Sequence, residues 1–139
     1  MKTLKVEIYD QNNKIDVTHK INTIELDNWI NHLKFFKKEL KNLIAMCDVK
    51  LNRKLDDDVL KCLKKKEVEN DNLLRILIKY MNSRRNIIEC SSCDCDMVFI
   101  TEHVSYRRSY LYHVDKYRRL KNEFFRKIEE KFIPLNGVS

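Results

Sequence analysis

Glycine and proline are almost missing: the 139 residues hold one of each, Gly137 and Pro134. That scarcity excludes much functional machinery. A phosphate-cradling loop, a dinucleotide fingerprint and a nucleophile elbow each need glycine where the backbone turns sharply or approaches a ligand closely. No apolar run approaches the roughly eighteen residues that a membrane-spanning helix requires. The opening Met1-Lys2-Thr3-Leu4-Lys5-Val6-Glu7 places charges where a secretory signal needs its apolar run, which points to a cytoplasmic protein. The five cysteines agree with that reading, because Cys47 and Cys62 fall in apolar helical stripes where a reduced thiol acts as a small hydrophobe. Serines, histidines and acids occur, yet no local arrangement pairs a nucleophile with a base, so the sequence does not read as an enzyme.

What is present is charge and helical periodicity. Hydrophobic residues make up 43% and charged residues 35%, with net charge +7. This apolar content is high enough to fold, and the length suits one domain. The expected fold is all-α: an elongated antiparallel three-helix, coiled-coil-like bundle over residues 22–133. An extended N-terminal arm (1–21) precedes it and a short tail (134–139) follows it. In the arm, Leu4, Val6 and Ile8 alternate with Lys5 and Glu7, Asp10 to Asn13 is turn-prone, and Ile15, Val17 and Ile21 resume an approximate alternation. That pattern fits a β-hairpin or a flexible arm.

From Asn22 the period changes, and Asn22 with Glu25 resembles a capping box. Leu26, Trp29, Leu33, Phe36, Leu40, Leu43 and Cys47 then recur at alternating steps of three and four. This heptad seam predicts a helix over about 23–50, and it is the natural candidate for an oligomer contact. A second helix is expected over about 56–89, led by Asp56, Asp57 and Asp58, whose carboxylates suit the positive end of a helix dipole. Its polar middle, Lys64 to Asn70, predicts a bend, a separation from the neighbours or a break into two helices. The run Lys61 to Lys66 reads as a solvated face. A third helix is expected over about 96–132, stopped by Pro134.

Two constellations carry candidate chemistry. On the third helix, Tyr106-Arg107-Arg108 returns as Tyr117-Arg118-Arg119 eleven residues later, nearly three full turns. With Arg126 and Lys127 these residues form a basic stripe interleaved with rings, suited to phosphates and unpaired bases. The competing reading is a solvated helix face whose rings fill a core or meet a partner. The second constellation, Cys90-x-x-Cys93-x-Cys95 with His103, is a donor set zinc accepts, although His103 lies about two turns into the helix. The competing reading is a small-residue turn between helices. No Glu-x-x-His pair occurs among His19, His32, His103 and His113, which argues against a di-iron bundle.

The function expected from these features is that of a small cytosolic helical adaptor or assembly subunit. It would act through protein–protein contacts, as a homo-oligomer or within a larger complex, without a cofactor. The alternatives are an RNA- or ribosome-associated basic protein and a zinc protein.

Overall fold

The computed structural model describes the backbone of residues 2–49, 57–87 and 93–132, and the side chains of 14–47, 58–85 and 95–130. Three helices account for it: α1 (Lys2–Val49), α2 (Asp57–Ser83, followed by a 3-10 turn at Arg84–Ile87) and α3 (Cys93–Phe132). No strand occurs among the described residues. With no glycine or proline in any of these helices, nothing in the backbone forces a break.

The heptad row of α1 is the core of the molecule. Leu26, Leu33 and Leu40 are completely buried, and Trp29, Phe36, Leu43 and Cys47 nearly so. Leu63 and Leu77 of α2 and Tyr117 and Phe124 of α3 close over them. Because the chain's own helices already cover Leu26, Trp29, Leu33, Phe36, Leu40 and Leu43, this seam is an internal contact and not an oligomer contact.

Hydrogen bonds across the bundle fix its topology. His19 meets Asp96, His32 meets Tyr110 and Glu39 meets Tyr117, at sequence separations of 77, 78 and 78. A constant separation means that α1 and α3 run in the same direction. Against α1, Arg84 pairs with His19 while Asn70 pairs with Leu33, so residue numbers fall along α2 as they rise along α1. The connectivity is therefore up, down, up, as short links between helices require.

Three local expectations are corrected. The extended arm or hairpin is instead the start of α1, which runs helically from Lys2. Within the part whose side chains are described, His19 and Asn22 turn inward together with Leu26. The buried face there is polar, so an apolar-alternation pattern misreads it. Asn22 is accordingly not a cap but a buried mid-helix residue, and Glu25 reaches across to α3. Finally, α2 continues unbroken through its polar middle. Lys66 and Asn70 lie on the core side there, with Lys66 donating to Glu69 at 2.7 Å.

Candidate functional site

The most organised chemistry is a set of polar groups locked between the helices. At one level Glu25 of α1 accepts from Arg107 through Nη2 at 2.6 Å and Nε at 3.0 Å, and from His103 Nε2 at 2.7 Å. The Arg107 guanidinium holds the Glu25 carboxyl below its usual range, although partial burial opposes this. Burial lowers the pKa of the completely enclosed His103, opposed by Glu25.

These two directions assign the protons. The ionised Glu25 can only accept, so His103 donates from Nε2 and, being neutral, accepts at Nδ1. The Tyr80 hydroxyl donates to that nitrogen at 2.7 Å and accepts from Arg84 at 2.9 Å. Arg84 also donates to the His19 carbonyl and to Thr23 Oγ1, both at 2.8 Å. Trp29 stacks on the imidazole at 4.9 Å.

A second level is simpler. Asn70, completely buried on α2, donates to the Leu33 carbonyl at 2.9 Å and accepts from His113 Nε2 at 2.8 Å. Burial, reinforced by the Lys66 cation, pushes the His113 pKa down to about 4. Farther along, Tyr117 donates to Glu39 at 2.6 Å and Lys121 donates to the same oxygen at 2.9 Å.

These groups are spent on one another. Both nitrogens of His103 are occupied and its ring is enclosed, so neither a substrate nor a metal reaches it. Such a network fixes which residues face each other along helices whose apolar rows would otherwise slide. A recess of about 400 Å³ is lined by Met97, Val98, Thr101, Glu102 and Ser105 of α3.

The expected site residues divide by direction. Tyr117 is buried, Tyr106 stacks on Tyr80 at 4.1 Å, and Arg107 is held by Glu25. Arg108, Arg118, Arg119 and Arg126 point outward, with Arg119 paired to Asp115 at 3.2 Å, and Lys127 lies near Glu123 at 3.6 Å. The eleven-residue repeat is thus only partly a packing repeat: both tyrosines pack inward and both second arginines face solvent, but of the first arginines Arg107 is held by α1 while Arg118 is exposed. Tyr106 and Tyr117 are taken up by packing, while Tyr112 on the same helix stays exposed beside Lys116.

Of the proposed zinc ligands, Cys90 lies outside the described residues, and of Cys93 only the backbone is described. Cys95 is disulfide-bonded, unlike the reduced cluster expected, and its sulfur is not a thiolate ligand in that state. No group of three or more His, Cys, Asp or Glu side chains converges among the described residues.

One feature of α1 escaped the sequence reading. Val17, Ile21, Ile24, Asn28, Asn31 and Phe35 follow one another at alternating steps of four and three on the side opposite the core. All six are exposed. The signal was legible as a second heptad row, but the stronger inner row and the hairpin-like start concealed it.

Compared with known proteins, the chain matches no family model, no curated protein and no solved structure. Among the described residues no helix is long and apolar enough to cross a membrane.

Proposed function

We propose that this protein is a small helical assembly subunit that works by laying the outward face of α1 alongside a second copy of itself. The observation that supports this reading is the exposed row from Val17 to Phe35. A helix with heptad rows on opposite sides is built to be covered twice, and its own chain covers only one side. Isolated exposed apolar residues need no explanation, but Val17, Ile21, Ile24 and Phe35 line up along about 27 Å of helix.

A second copy is favoured by the two polar positions in the row. Asn28 and Asn31 would meet their own counterparts in a parallel, in-register pair, where buried asparagines satisfy each other and fix the register. The recess beside Met97 is open and shallow, and the buried network is closed, so neither favours a small-molecule substrate.

Size-exclusion chromatography with light scattering tests the proposal. Wild-type protein should run as a dimer at high micromolar concentration, and Ile24→Glu with Phe35→Glu should yield a folded monomer. A wild-type chain that stays monomeric throughout, or a double variant that remains dimeric, would overturn it.

A further inference from the structure

The run Lys61 to Lys66 reads from the sequence as an ordinary solvated face. The outward face of α2 that holds it is not ordinary in sign. Lys61, Lys64, Lys65, Arg75 and Lys79 are all exposed, and about 100° per residue places them within one arc of roughly 100°. They extend over about 27 Å of helix. The acids of the same helix are turned away or engaged. Glu69 holds the buried Lys66 at 2.7 Å, and Asp71 lies 3.5 Å from Lys37 of α1. Glu67 is half-buried and Asp58 is exposed, and the Glu69 and Asp71 side chains stay 41% and 39% exposed while engaged. None of the five cations is paired with a carboxylate among the described residues.

We propose that this face of α2 binds double-stranded nucleic acid through its phosphates, without reading sequence. Unpaired like charges held on a rigid rod raise the local potential and repel a second copy of this basic chain, so the natural occupant is a polyanion. The cations form two groups, Lys61 with Lys64 and Lys65, and Arg75 with Lys79. Their centres are about 20 Å apart along the helix. A duplex presents phosphates on rigid rails that two such groups can grip together. A single strand is recognised largely by stacking, and this face carries no ring. Lysine predominates and supplies point charge without the planar fork that reads a guanine edge. The surface is distinct from the outward face of α1, so duplex binding goes beyond the assembly reading and does not depend on it.

Fluorescence anisotropy with a labelled duplex of arbitrary sequence tests this, using the full chain. About five neutralised phosphates should weaken binding several-hundred-fold between about 50 and 200 mM salt. The variant Lys61→Glu/Lys65→Glu/Lys79→Glu alters only exposed positions, and circular dichroism verifies its helicity. It should lose at least about a hundredfold in affinity while its mass in light scattering stays that of wild type. A variant of equal charge change on α3, Arg108→Glu/Arg119→Glu/Arg126→Glu, should remain within a few-fold of wild type. The proposal is overturned if wild type fails to bind the duplex at low salt, or if both variants lose affinity equally. It is also overturned if a single strand binds more tightly, or if polyglutamate of equal charge displaces the duplex as well as unlabelled duplex does.

Discussion

His113 of α3 donates its Nε2 proton to Asn70 Oδ1 of α2 at 2.8 Å, inside the bundle. Through the other end of the same amide, Asn70 reaches the Leu33 carbonyl of α1. One side chain thus ties three helices at one level, and it is completely buried there.

The first prediction concerns pH. His113 folds with a pKa of about 4 against a reference of 6.5, so the unfolded chain binds the extra proton. Stability from this group is full above pH 6.5 and is lost as pH falls toward 4. The loss should approach about 3 kcal/mol from His113 alone. His103 and His32 are displaced in the same direction, chiefly by burial, and add to the effect. Urea unfolding at a series of pH values measures the slope, and His113→Gln should flatten it. A stability that stays level between pH 7 and 4.5 would refute the buried neutral histidine.

The second prediction concerns the amide itself. Asn70→Ala strands the His113 donor in the core and should cost about 1–3 kcal/mol. Replacing both partners, Asn70→Leu with His113→Leu, removes the polar pair together and should recover much of that loss. Denaturant midpoints of wild type and the two variants check the order. A double variant no better than Asn70→Ala would mean the cost lies in packing alone.

The third prediction separates the two sides of α1. Leu33→Ala should destabilise by about 2–5 kcal/mol, because it opens a cavity at a completely buried position. Ile24→Ala, on the exposed row, should leave the unfolding free energy of the dilute, monomeric chain within about 0.5 kcal/mol of wild type. Thermal melts at low protein concentration compare them directly.

The fourth prediction concerns Glu25. Its removal leaves the enclosed His103 and the Arg107 guanidinium without their shared acceptor. Glu25→Ala should therefore cost about 2–4 kcal/mol. Chemical denaturation measures it, and a change within about 0.5 kcal/mol would place this cluster among ordinary surface pairs.

How much of this was legible depended on whether an inward face was apolar. The row from Leu26 to Cys47 announced itself, since every inward residue is greasy and spaced for a helix. So did the later half of α3, where Val114, Tyr117, Leu120, Phe124 and Ile128 pack inward, whereas Met97 and Leu111 face solvent. The start of α1 did not, because the residues it turns inward are His19 and Asn22, while Val17 and Ile21 face out. The middle of α2 misled for the same reason. Lys66 and Asn70 stand on the buried side, where a hydrophobicity pattern registers a gap. The partners of His103 and Glu25 were unreadable in principle, since they lie 23 and 78 residues from that histidine and depend on register between helices. The outer row of α1 was readable, but only by asking which helix carried two seams.

The central claim is that α1 lies against its own copy in register, and cysteine cross-linking tests it most directly. In a background with the exposed Cys62 changed to serine, Asn28→Cys places a thiol on the proposed dimer axis, and Lys41→Cys places one off it. Mild oxidation of dilute protein should convert the Asn28→Cys chain to a disulfide dimer while the Lys41→Cys chain stays monomeric. Equal cross-linking at both positions, or none at Asn28→Cys, would contradict the account.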